Sequence, residues 1–190
     1  RPAAGFVSIA GGKYTTYRVM GKDVIDLAVN DLRRIVAESI TEKLPAIGAD
    51  GYFALVQQSA QLAQMSGLAQ STITHLLDRY GSLINEIFEI IDADKKMAEP
   101  LTPELAYLKA EIIYAVTHEG AQSVDDVLSR RTRIAFEASD GGEAIAATVA
   151  TLIAPILGWD AAAKKASVSE FTSHLKNERA ALDELLTRTR

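Results

Sequence analysis

One short stretch near the start of the chain, residues 6–10, alternates as a buried strand can. After it, almost every segment carries helical spacing. A lone strand cannot satisfy its own backbone N–H and C=O groups. The chain is therefore expected to carry the last strand of a sheet whose other strands lie elsewhere in a longer protein, followed by an all-α body. The opening Arg1-Pro-Ala-Ala-Gly5 has neither an initiator methionine nor an apolar leader behind it, which agrees with an excised piece.

Residues 23–36 form a first amphipathic stretch, with Val24, Leu27 and Ala28 on one side. Residues 43–51 read as loop, broken by Pro45 and Gly48. Residues 52–65 read as helix ending near Gly67. Ser71 and Ser82 are candidate caps of two further helices, the first stopping at Gly81 and the second carrying Ile84, Ile87, Phe88 and Ile91. Thr102-Pro103-Glu104 joins a capping hydroxyl to a proline whose missing N–H costs nothing in a first turn. Leu105, Leu108, Ile112 and Ala115 then form one stripe. Ser123 and Asp126 have capping-box spacing, with Asp in place of Glu. Asp140 and Asp160 open two more helices. Pro155 is expected to kink or end the first, and Phe171, Leu175, Leu182 and Leu186 mark the second. About seven helices with short connections predict an irregular or orthogonal bundle.

Of 190 residues, 48% are hydrophobic and 24% charged, which suits a cored globular body. A net charge of -5 gives no general attraction to nucleic acid and argues against a basic membrane-binding face. Without cysteine there is no disulfide framework, thiolate metal site or thiol nucleophile, which fits a reducing cytosol. No apolar run approaches the ~20 residues that span a bilayer. His75, His118 and His174 have no HExxH spacing, so no zinc site is expected, and His118 reads as a complement to a helix C-terminus. Arg130, Arg131 and Arg133 follow Asp125 and Asp126 at ion-pair spacing, with a contact to a further domain as the alternative. Trp159 reads as a packing anchor.

The chemistry-bearing block is Gly11-Gly12-Lys13-Tyr14-Thr15-Thr16-Tyr17-Arg18. The glycines admit close approach of a ligand or another backbone. Thr15 or Thr16 is the expected N-cap of a helix running to about residue 32. Free N–H groups at such a start, with Lys13 beside them, suit an anion or a group that becomes anionic during reaction. The residues alone leave open a plain strand-to-helix turn with a solvated lysine.

This block resembles the GGK-[LY]-TTYR segment of the FAD-dependent glycerol-3-phosphate dehydrogenases, respiratory enzymes that pass electrons to quinone. Residues 110–136, AEIIYAVTHEGAQSVDDVLSRRTRIAF, are similar to the C-terminal helical domain of the same family. Glycerol-3-phosphate oxidases share much of this region. Tyr14 stands where many relatives carry leucine, which is of no consequence if the contact runs through backbone. The resemblance implies Lys13 as the catalytic residue beside flavin and substrate. It places Gly12, Lys13, Tyr14 and Thr15 along the pyrimidine side of FAD, where charge develops as hydride leaves the substrate. Arg18 becomes a candidate for the substrate phosphate, with a structural salt bridge as the alternative.

On this reading residues 1–40 are the end of the FAD and substrate domain, and residues 41–190 form a helical C-terminal cap, with the boundary between 37 and 50. No GxGxxG follows a strand, so the chain alone is expected to be neither yellow nor active. The parent would oxidise glycerol 3-phosphate to dihydroxyacetone phosphate. It would lie in the cytoplasm, peripheral on the inner face of the cytoplasmic membrane, with the missing catalytic domain and a homo-oligomer as protein partners. Oxygen as acceptor, or a stand-alone helical interaction module, are the rival readings.

Overall fold

The computed structural model of the chain describes residues 5–32 and 35–188. Two compact units emerge, Arg1–Asp50 and Gly51–Arg190.

In the first unit a 3₁₀ turn, Tyr14–Thr16, leads into α1, Tyr17–Val29. The strand expected at residues 6–10 does not form; the only β-pairing among the described residues is a bridge between Pro100 and Leu108. The physical reason is the one that made a lone strand implausible: no second strand is present to pair with it. The amphipathic stretch expected to reach residue 36 also stops early. The N–H groups of Asp31 and Leu32 reach back only three residues, to Ala28 (3.2 Å) and Val29 (2.9 Å), so the helix tightens and ends. Asn30 and Asp31, whose short polar side chains compete for backbone, stand at that point. Residues 33 and 34 of the stretch lie outside the described residues. From residue 35 to 40 the backbone is irregular and from 41 to 50 it is loop with turns, which includes the loop expected from residue 43. None of the described residues of this unit is buried.

The second unit is all helical, and the expectation of an all-α body holds. It contains α2 (Tyr52–Gln57), α3 (Ser59–Ser66), α4 (Gln70–Tyr80), α5 (Ile84–Ala93), α6 (Lys109–Thr117), a π-helical turn (Asp126–Arg131), α7 (Ile134–Glu137), α8 (Ala146–Leu157) and α9 (Ala161–Arg188). Two apolar cores share α6. One joins Ile73, Leu76, Leu77 and Tyr80 of α4 and Ile84, Ile87 and Ile91 of α5 to Ala110 and Tyr114. The other joins Ile112, Ala115 and Val116 to Val124, Val127 and Leu128, to Ile134, to Val149, Ala150 and Ile153 of α8, and to Phe171 of α9. Trp159 packs at its edge, as an anchor should. α4, α5 and α8 each bury residues at i, i+3, i+4 or i+7, the spacing of one face.

Several cap expectations hold. Ser123 accepts the Asp126 N–H (3.0 Å), and the Asp126 carboxylate accepts the N–H of Gln122 (3.0 Å). Asp140 accepts from Gly142 and Ala144 (both 2.8 Å), and Asp160 from Ala163 (2.8 Å). Pro155 sits in the last turn of α8, which Gly158 ends at φ 67.

Others fail. Ser71 and Ser82 cap nothing; α4 begins at Gln70 behind Ala69, and a 3₁₀ turn, Gly81–Leu83, leads into α5. The helix expected over 52–65 breaks at Gln58, and nothing in the residue pattern marks that break. Thr102 accepts the Glu104 N–H (3.1 Å) to make a turn, not a helix. The loop is closed instead by Leu101 N–H to Tyr107 C=O (2.8 Å) and Lys109 N–H to Glu99 C=O (3.0 Å), which delays α6 to Lys109.

Phe171 is buried, whereas Leu182, on the same side of α9, is 59% exposed. In urea unfolding, Phe171→Ala should cost roughly 3–5 kcal/mol and Leu182→Ala less than about 0.5 kcal/mol. Equal losses would contradict this packing.

Candidate functional site

The glycine turn is built from short-range contacts. Gly11 and Gly12 take φ of 84 and 93, a region that side chains disfavour. A Cβ on Gly12 would lie 2.2 Å from the Met20 sulfur, so α1 packs directly against the turn. Lys13 then adopts an extended conformation, φ -113 and ψ 155. Its N–H donates to Thr16 Oγ1 (3.2 Å), and the Thr16 hydroxyl donates to the Lys13 carbonyl (2.9 Å). That carbonyl also accepts the Thr16 N–H (3.0 Å). Thr16 is thus the residue before α1, but its hydroxyl turns back to Lys13 and does not cap the helix, as had been expected of it or Thr15. The amides of Tyr14 and Thr15 precede the first intrahelical bond and point out of the helix start.

Gly12, Lys13, Tyr14 and Thr15 are all exposed, and the Lys13 ammonium enters no ion pair among the described residues. Arg18 is half-buried one turn further on. It lines a groove of about 780 Å³ between α1 and residues 36–47, with Tyr17, Ile25, Leu44 and Ile47 among its walls. Lys13 is not part of that wall, so Arg18 and Lys13 do not meet there. Lys22 and Asp26 pair beside it at 2.6 Å. Apolar side chains remain open across this unit, with Tyr14 and Ile47 each 91% exposed.

The helical unit holds a polar centre that the sequence reading missed. Glu111, in the first turn of α6, is fully buried. Its carboxylate accepts from Leu108 N–H (2.7 Å), Arg79 Nε (3.1 Å) and the Tyr80 hydroxyl (3.1 Å), and lies 3.0 Å from His75 Nε2. Arg79 continues through Nη2 to the Arg131 carbonyl (2.6 Å), and Arg131 Nε donates to the Glu119 carbonyl (2.8 Å). Burial, with Glu111 close by, pushes the Tyr80 phenol well above its usual range. The Glu119 carboxyl is also raised, chiefly by burial and against the pull of Arg79 and Arg131, and its Oε2 has no partner.

The arginine cluster mostly pairs locally, as its spacing predicts. Arg130 Nη1 bonds Asp125 (2.6 Å) and Asp126 (3.1 Å), and Arg133 sits 3.7 Å from Glu137. His118 ends α6, stacked on Tyr114 with ring centroids 4.4 Å apart. No group of metal-ligating side chains occurs among the described residues.

Residues 39–164 match the model of a family described as the C-terminal domain of alpha-glycerophosphate oxidase. The chain belongs to that family. It is 47% identical to glycerol-3-phosphate dehydrogenase 2 of Mycobacterium tuberculosis over 177 residues, 93% of this chain but 30% of the relative. Glycerol-3-phosphate dehydrogenase of Mycobacterium leprae is 45% identical over the same shares. That of Synechocystis is 31% identical over 80% of this chain and 28% of its own length. The chain thus spans under a third of the curated relatives it matches.

Within this alpha-glycerophosphate oxidase C-terminal domain, the signal for the polar centre was a glutamate inside the apolar run of residues 110–116. It was obscured because Leu108, not a Ser or Thr, precedes the helix. Glu111→Ala should cost roughly 3–5 kcal/mol, since it strands the half-buried Arg79 and the buried Tyr80 hydroxyl; a loss below about 1 kcal/mol in urea unfolding would contradict the pairing. Glu119 acts with the opposite sign. Its raised pKa means the folded state holds the proton more tightly than the unfolded chain, so its stability contribution falls as pH rises through the folded value. The melting-temperature gain of Glu119→Gln over the native chain should therefore widen from pH 4 to pH 7, and a constant difference would refute it.

Proposed function

We propose that this chain is the C-terminal portion of an FAD-dependent glycerol-3-phosphate dehydrogenase. Residues 1–40 close the FAD and substrate domain, and residues 41–190 form its helical cap. The observation that carries this reading is the first unit itself: a lysine-bearing glycine turn on a body with no buried residue among those described. Open apolar surface of that extent marks a face that another body covers. The names of the relatives supply the substrate class.

The residues present fit the acceptor-rich edge of a flavin. No Cβ stands on Gly11 or Gly12, the amides of Tyr14 and Thr15 precede the first helical bond, and the exposed Lys13 enters no ion pair among the described residues. When bound, FAD supplies the acceptor for hydride from C2 of glycerol 3-phosphate, yielding dihydroxyacetone phosphate. Lys13 and the open amides then stabilise the negative charge that develops beside them, a preorganised electrostatic contribution. Arg18 offers a guanidinium to the substrate phosphate. Electrons pass onward to quinone, and the enzyme sits peripherally on the inner face of the cytoplasmic membrane; no helix among the described residues is long and apolar enough to cross one. The chain alone lacks a dinucleotide cradle and is inactive. Because the family description names an oxidase, oxygen is the second acceptor to assay.

In the complete gene product, Lys13→Ala should retain bound flavin and lose about a hundredfold in turnover with a quinone analogue. Unchanged turnover would refute the role of Lys13. Peroxide formation matching substrate consumption would replace quinone with oxygen.

A further inference from the structure

Two adjacent threonines follow the lysine of the turn, and the structure separates them. Only Thr16 reaches back. Its hydroxyl lies 3.2 Å from the Lys13 nitrogen and 2.9 Å from the Lys13 carbonyl oxygen, and its own N–H adds a bond to that carbonyl. One side chain thus satisfies both backbone groups of Lys13 and holds them in the extended conformation. On the other side, Met20 packs into the space left by the absent Cβ of Gly12. The turn is clamped between two residues of the helix start, while the lysine side chain stays exposed and enters no ion pair among the described residues. A hydroxyl is required for this arrangement, because the same atom accepts one bond and donates the other. A methyl group in its place would leave Lys13 N–H without a partner and free the lysine to rotate about its backbone.

We infer that Thr16 is a positioning residue for the proposed site: its hydroxyl clasps the backbone of Lys13 and aims the ammonium at the developing charge. This rests on the reading that Lys13 serves a flavin. Alignment of a charged group matters in a preorganised site, since small displacements forfeit most of its effect.

The test uses the complete gene product and compares Thr16→Val, Thr16→Ser and Lys13→Ala. Thr16→Val should keep its bound flavin, lower kcat about tenfold with KM for glycerol 3-phosphate little changed, and shift the flavin midpoint potential downward. Lys13→Ala should shift the potential in the same direction and further, because a displaced cation is a partial version of a missing one. Thr16→Ser should restore both quantities. A wild-type potential and kcat in Thr16→Val, with Lys13→Ala impaired, would overturn the clasp and leave the flavin reading standing. Loss of flavin or of the fold in Thr16→Val would also overturn it, since the hydroxyl would then hold the protein and not the lysine. A wild-type potential in Lys13→Ala would overturn the reading beneath it.

Discussion

The carboxylate of Glu111 is the interaction on which the helical unit depends. It is buried in the helix that both apolar cores share. A charge placed there without partners would be strongly destabilising. The surrounding donors remove that penalty: Leu108 N–H at the helix start, Arg79 and Tyr80 from α4, and His75 beside them. The first of these is the reach-back half of a capping box, so one group both starts α6 and ties it to α4. Arg79 then carries the connection to the π-helical turn through the Arg131 carbonyl, and the Arg131 side chain returns it to the end of α6. Arg131 is the last residue of that turn, where a carbonyl has no partner within the helix and is open to Arg79. Two cores packed on opposite sides of one helix are thereby held in a fixed register by polar contacts more specific than apolar burial alone.

The first unit follows a different logic. It has no core among its described residues, yet its turn is well defined, because every contact that shapes it spans a few residues. Positive φ at two glycines, a hydroxyl clasp and a methionine packed against Gly12 fix the local geometry. Local bonds of this kind set the shape of a turn but supply little stability. Long-lived order requires apolar burial, and the side chains that could provide it are open. The turn therefore reads as a finished local device on an unfinished surface.

Local signals explain what was legible in the sequence. The Ser123, Asp140 and Asp160 caps hold because each needs only a side-chain oxygen and an N–H two to four residues away. The apolar stripe of α5 holds because spacing alone decides which face is buried. Thr102-Pro103-Glu104 misled because a longer-range closure, Leu101 to Tyr107, outcompeted the start signal. Residues 6–10 misled in another way: their alternation describes a strand, but strand formation needs a neighbour that the sequence of the strand cannot supply. The Glu111 centre was obscured because its side-chain partners lie 31 to 36 residues away and Leu108, not a Ser or Thr, precedes the helix. At the candidate site, the glycine turn itself was legible, whereas the expected cap by Thr15 or Thr16 was not met, since the Thr16 hydroxyl turns back to Lys13.

The distribution of polar groups also divides the work between the units. In Gly51–Arg190, Glu111, Arg79 and Arg131 are each engaged with other side chains or with backbone, and the buried Thr132 hydroxyl is spent on the Val127 carbonyl at 2.7 Å. The Glu119 Oε2, without a hydrogen-bond partner among the described residues, is buried. Such groups hold a shape and are poor candidates for chemistry, which needs a reactive group within reach of substrate. In Arg1–Asp50 the balance is reversed: Lys13 is exposed, without an ion pair among the described residues, and held by its backbone alone. Function is carried by sites and not by folds. On the proposed reading the smaller unit therefore presents the reactive group, and the larger helical unit contributes a body whose own polar contacts are already committed to holding it together.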